Sequence, residues 1–148
     1  MANVRPLPDD ITNEIQELHQ ETSAFLKVDL SASPKSIVEV INEFIRQTKA
    51  HPAELEEDCA LGMGVLLGEQ YVRQFNWHWG HVNFEDDGNE DHYAICVLPP
   101  DNSLAILPIW WVNNILTTLA PTNILLNFNM VAENKVPPAS PGEAMGFH

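Results

Sequence analysis

Apolar residues recur at helical spacing through the first half of the chain, then change past Phe75 to the runs and alternations that strands carry. Ile11, Ile15, Leu18, Thr22 and Phe25 fall on one helical face, with Glu14, Glu17 and Glu21 between them. This predicts a helix over about residues 10–27, N-capped by Asp9 or Asp10. Ser33-Pro34 is a helix start, a serine cap followed by a proline that has no N–H to leave unpaired. Ile37, Ile41, Phe44 and Thr48 then mark a second helix over about 34–50. His51-Pro52 restarts the chain, and Glu54, Glu56, Glu57 and Asp58 suit the positive end of a third helix over about 52–75.

Beyond it, Asn76–Phe84 and His92–Leu98 read as strands around the turn Glu85–Asn89, whose Asp-Gly step favours a hairpin. Both alternating sets of His92–Leu98 are apolar, which predicts a central strand buried on two faces. Ser103–Leu107 makes a third strand and completes an antiparallel meander. Pro108 opens a fourth helix carrying Trp111, Ile115 and Leu119, and Ile124–Val131 reads as a short fifth. Residues 1–8 are expected to be irregular, and 133–148, rich in proline and small residues, to form a flexible tail that can dock on a partner. The pattern adds up to one α+β domain over residues 1–132: three N-terminal helices, a small three-stranded antiparallel meander, and one or two C-terminal helices.

The stretch Cys59–Trp79 organises this scheme. It holds Gly62, Gly64 and Gly68 inside a helix, where each costs about 0.5–1 kcal/mol relative to alanine. A strip without side chains on which a helix or the sheet can lie close offsets that cost. A phosphate loop is excluded by context, since no strand precedes the glycines and no Lys-Ser or Lys-Thr follows them.

Charge changes the picture. The chain has 148 residues and a net charge of −14, and between Gln74 and Asn134 it has no lysine or arginine. That balance argues against nucleic acid or an anionic membrane as partner and suits a basic protein. No apolar run reaches the length of a membrane span, and no secretory signal is evident. With Cys59 and Cys96 both in apolar patterns that favour small buried residues, a cytoplasmic protein with two reduced thiols is expected, the alternative being a secreted chain from which a signal has been removed.

Three groups of residues carry candidate chemistry. The acids Glu85, Asp86, Asp87, Glu90 and Asp91 form a turn that can contact a basic partner. Its spacing does not match a calcium loop, because Ala94 stands where a bidentate glutamate belongs. His78, His81 and His92 are candidate metal ligands, although residues three apart on a regular strand point to opposite faces and a bulge at Gly80 is needed to converge them. Trp77, Trp79, Trp110 and Trp111 form either an aromatic core or a binding surface; adjacent Trp110 and Trp111 cannot face the same way, and Trp110 is the one expected outside. No nucleophile elbow or Cys–His pair is present, and Glu69, placed near Trp79, is a lone carboxylate. No catalytic residue and no cofactor is assigned.

The order LG-x-G-x-LLGEQYVRQF-x-W-x-W, a short acidic turn, YAICVLPPDNSLAILP and WWVNNIL resembles small, uncharacterised bacterial α+β domains, some of which act as cognate immunity proteins in toxin systems. The resemblance covers about residues 55–120 and carries no site residues. It implies a non-enzymatic interaction protein. The alternatives are a metal-binding or hydrolytic protein using His78, His81 and His92, and a structural homo-oligomer, such as a homodimer, that buries exposed tryptophans.

Overall fold

The computed structural model describes residues 2–51 and 59–148, so the acids expected in the first turns of the third helix lie outside the described residues. The fold is mixed α+β. Helices α1 (Asp9–Leu26), α2 (Pro34–Ala50) and α3 (Cys59–Phe75) are followed by strands β2 (His78–Asn83), β3 (Tyr93–Leu98) and β4 (Leu104–Ala105), then by helices α4 (Pro108–Thr117) and α5 (Ile124–Ala132). Two elements lie where irregular chain was expected: β1 (Asn3–Arg5) precedes α1, and β5 (Met145–Gly146) follows α5.

Local signals account for most element ends. Ser33 caps α2, its hydroxyl accepting from the Ser36 amide at 3.2 Å. The cap of α1 is Pro8 instead of an aspartate, because the chain turns helical one residue earlier than the spacing suggested. Asp9 and Asp10 then lie inside the first turn, facing the positive end of the dipole.

Helix α3 is the axis of the molecule, packed by α1, α2 and α4, with Gly62 to Gly68 buried without a break. The glycines set those distances. A side chain on Gly62 would meet the Thr22 hydroxyl of α1, one on Gly64 would lie 2.5 Å from the Ile109 Cα of α4, and one on Gly68 would overlap the Trp79 indole. The close approach is therefore by two helices, α1 and α4, and by the Trp79 indole of β2, so both kinds of neighbour that the sequence allowed use the strip. Tyr71, Phe75, Trp77 and Phe128 add an aromatic cluster, with Tyr71 5.4 Å from Trp77 and 5.3 Å from Phe128.

The sheet departs from the expected meander. Its order is β1-β2-β3, all antiparallel, with Asn3 opposite Asn83 and His78 opposite Leu98. Thus β2, not β3, is central, and the third strand comes from the N-terminus. The expected third strand instead bridges β3 only at Val97–Ile106 and pairs β4 in parallel with β5. Burial on both faces explains this. One face, with Trp79 and Val97, meets the main core; the other, with Val82, Cys96 and Leu98, is covered by Ala105 and Ala144. Two apolar faces need two covers, and the chain supplies the second from its last residues.

The segment 133–148, expected as a flexible tail, accordingly folds back. Val136, Ala139, Met145 and Phe147 pack on the core. Buried Asn127 links it in, accepting from the Tyr71 hydroxyl at 2.6 Å and donating to the Phe147 carbonyl at 3.1 Å. No helix among the described residues is long and apolar enough to cross a membrane.

Candidate functional site

The loop from β2 to β3 is built on one buried residue. Asn83 ends β2 with no exposed surface, and its side-chain oxygen accepts from the amides of Glu85 and Asp86, each at 3.0 Å. Its side-chain nitrogen donates to Asp87 Oδ1 at 3.0 Å, and the same oxygen accepts from the Asn89 amide at 2.9 Å. Asn89 in turn caps a short 3-10 turn, Glu90–His92, by accepting from Asp91 N. Asp86 and Gly88 take left-handed backbone but Asp87 between them does not, so the Asp-Gly step does not form the two-residue turn that it favours, and the loop is shaped by Asn83 instead. The acids Glu85, Asp86, Asp87, Glu90 and Asp91 are all exposed on a loop whose shape is set by its own side chains.

Two cationic groups partly balance them. The Arg5 guanidinium of β1 pairs with both Glu90 oxygens at 2.9 and 2.5 Å, and lies 3.6 Å over the Tyr93 ring. His92 Nδ1 lies 2.5 Å from Glu85 Oε2 and 2.6 Å from Asp87 Oδ2. The hydrogen bond to Asp87 leads the effects that raise the His92 pKa. Asp87 itself is held well below the usual carboxylate range, first by Asn83 and then by the Asn89 amide.

The three histidines proposed as metal ligands do not converge. His78 lies at the far end of the hairpin, its Nε2 2.7 Å from Asn102 Oδ1. His81 packs on Tyr93 with ring centroids 5.0 Å apart, and faces Arg5. His92 alone belongs to the loop. No bulge interrupts the register around Gly80, so the strand's own alternation keeps His78 and His81 apart. The set that does converge is Glu85, Asp87 and His92, whose donor atoms lie within 4.8 Å of one another. Sequence spacing placed the acids and His92 in separate groups, and the signal that joins them is Asn83, which folds the turn back on the start of β3.

Of the tryptophans, Trp77 and Trp111 are buried and Trp79 is half-buried, while Trp110 is 53% exposed, as its position suggested. Trp110 sits on α4 with its ring 5.3 Å from that of His148, away from the loop's hydrogen-bond network. Trp79 Nε1 donates to Glu69 at 2.8 Å, so this carboxylate serves the indole of the packing axis. The Cys96 thiol is buried and pushed up to about 12, which keeps it protonated and unreactive.

Histidines packed partly out of water give the fold a pH dependence, although His148 keeps an exposed face. Burial is the first cause holding His19, His81 and His148 below the ordinary imidazole value, and His19 Nε2 is buried with no hydrogen-bond partner among the described residues. The unfolded chain takes up these protons first, at about pH 6.5. Their contribution is therefore complete above that pH and is lost as pH falls toward the lowered folded values. His92, raised, acts in the opposite sense, its contribution present at low pH and lost as pH rises through its folded value. With three groups against one, the urea midpoint is expected to fall between roughly pH 7.5 and 5.5. His19→Phe should reduce the slope, because its Nε2 is the buried, unpartnered ring nitrogen, and a midpoint that rises on acidification would contradict this balance.

No protein-family model, curated protein or solved structure matches this chain.

Proposed function

We propose that this chain is a non-enzymatic binding protein of the bacterial cytoplasm that recognises a basic protein partner through the β2–β3 loop, as an immunity protein binds its toxin. One observation supports this most: five acids are held exposed on a loop that Asn83 has already ordered, with Arg5 and His92 as the local counter-charges among the described residues. A loop that is ordered before binding loses little conformational freedom on contact, so more of the electrostatic attraction is retained as affinity. Asp86 and Asp91 are the acids left for a partner, because Glu90 is taken by Arg5, and Glu85 and Asp87 by His92. Trp110, exposed on α4, is a second candidate contact.

Charge-steered association weakens as salt shortens the Debye length from about 10 Å at 0.1 M to about 3 Å at 1 M. Immobilised chain should therefore retain a basic protein from a lysate of its source at low salt, release it at high salt, and lose it in the double variant Asp86→Asn, Asp91→Asn. Retention that is indifferent to both salt and the double variant would overturn the reading. A structural role that buries a tryptophan-rich surface is not favoured, since only Trp110 of the four is exposed.

A further inference from the structure

We infer that Glu85, Asp87 and His92 form a binding site for a divalent transition-metal ion of the zinc type. The site shares the β2–β3 loop with the partner-binding reading but uses different side chains, since Asp86 and Asp91 are the acids left there for a partner.

Donor chemistry carries it. Two carboxylate oxygens and one imidazole nitrogen converge within 4.8 Å, and both carboxylates address the same ring atom, Nδ1 of His92, at 2.5 and 2.6 Å. One nitrogen holds at most one proton, and that proton can be donated squarely to only one of the two oxygens. A divalent ion in its place takes a bond from all three donors and matches the charge of two carboxylates with a neutral imidazole. Mixed nitrogen and oxygen donors suit zinc and its neighbours, whereas calcium and magnesium prefer sets made of oxygen alone. Three protein donors leave at least one position for water, and the exposed loop gives the ion free access.

The donors are also supported from outside the cluster. Buried Asn83 and the Asn89 amide occupy Asp87 Oδ1, which turns Oδ2 toward His92. The Glu85 amide is held by the same Asn83, and His92 leads directly into β3. A ligand set fixed from behind in this way needs little rearrangement to close on an ion.

The test is calorimetric titration of zinc chloride into untagged chain in metal-free buffer, with magnesium chloride in parallel. One zinc per chain is expected, with no magnesium binding at the same concentrations. His92→Gln should weaken zinc binding by about 100-fold and Glu85→Gln by about tenfold or more. Glu85→Gln guards against misfolding, because the Glu85 carboxylate contacts only the His92 ring among the polar contacts described and its loss leaves the Asn83 bonds in place. Ring nitrogen–proton correlation spectra identify the ligand: stoichiometric zinc should shift His92 and leave His78 and His81 unmoved. Failure of the wild-type chain to bind zinc saturably, affinities in both variants within about twofold of wild type, or shifts at the other histidines alone would each overturn the inference.

Discussion

Replacing Gly64 by alanine is expected to destabilise the fold by about 2 kcal/mol, even though alanine is the better helix former. Two effects compete. The helix itself gains about 1 kcal/mol from the exchange. Against that, the new methyl would stand 2.5 Å from the Ile109 Cα and 2.7 Å from its amide nitrogen, both backbone atoms of α4. Backbone cannot step aside as a side chain can, so α4 must move away from α3, at the upper end of the roughly 1–3 kcal/mol that overpacking costs, or beyond it. Valine, with two more methyls in the same place, should leave little folded protein at room temperature. The neighbouring glycines calibrate the explanation. At Gly68 the obstacle is the Trp79 indole, which is half-buried and can tilt at the expense of its bond to Glu69. At Gly62 it is the Thr22 hydroxyl, a single atom on a rotatable side chain. Urea midpoints of the three alanine variants should therefore fall in the order Gly62, Gly68, Gly64, with Gly64 the least stable. Equal midpoints, or a more stable Gly64→Ala, would show that the strip is not what sets the α3–α4 distance.

Asn127→Ala is expected to cost about 3 kcal/mol and to free the C-terminal segment. The side chain is buried and serves two partners at once, the Tyr71 hydroxyl and the Phe147 carbonyl. Each buried polar group left without a partner costs about 1–3 kcal/mol, so losing both bonds reaches the stated size. Burial already holds the Tyr71 hydroxyl far above its ordinary pKa, so ionisation offers it no escape. The second consequence is local. Once Phe147 is released, β5 loses a support beside its pairing with β4, and the face of the sheet under Ala105 and Ala144 opens. Limited proteolysis should then cut within 133–148 under conditions where wild-type chain is intact. Leu126→Ala on the same helix, at an exposed position, should change stability by no more than about 0.5 kcal/mol and leave the proteolysis pattern unaltered. Asn127→Ala with wild-type resistance to protease would separate the buried bonds from the docking of the segment.

Both predictions depend on features that stand at different distances from the sequence. Three glycines inside one apolar helix already implied close packing, because their cost demands an offset. The identity of the close neighbours did not follow, since Ile109 is 45 positions from Gly64 along the chain. The helices were legible from spacing and from Ser33-Pro34 and Pro108, all of which act within a few residues. The pairing of strands was not. β1 has three residues and β5 two, too short to show an alternation, and each is a strand only because a partner offers it hydrogen bonds.

The candidate site divides in the same way. Exposed acids in a turn and an exposed Trp110 could be read directly, since a charged turn and one of two adjacent tryptophans must face water. The histidines could not be sorted. Spacing allowed His78, His81 and His92 to be grouped, and the fold instead distributed them to the far end of the hairpin, to the Arg5–Tyr93 stack and to the loop. The decisive residue is Asn83, an ordinary polar residue in sequence, whose burial turns both ends of its amide onto the loop.

The sequence by itself determined the negative charge, the order of the helices and α3 as the packing axis, because charge, periodicity and capping are properties of neighbours along the chain. It did not determine where α4 stops, since Leu119, expected on its buried side, lies past its end at Thr117 and is exposed. Only the tertiary structure decided which strands pair, that the last residues cover the second face of the sheet, and that His92 joins Glu85 and Asp87. Those outcomes depend on which distant groups can satisfy a buried face or an unpaired hydrogen bond, and that competition is resolved only when the whole chain has been brought together.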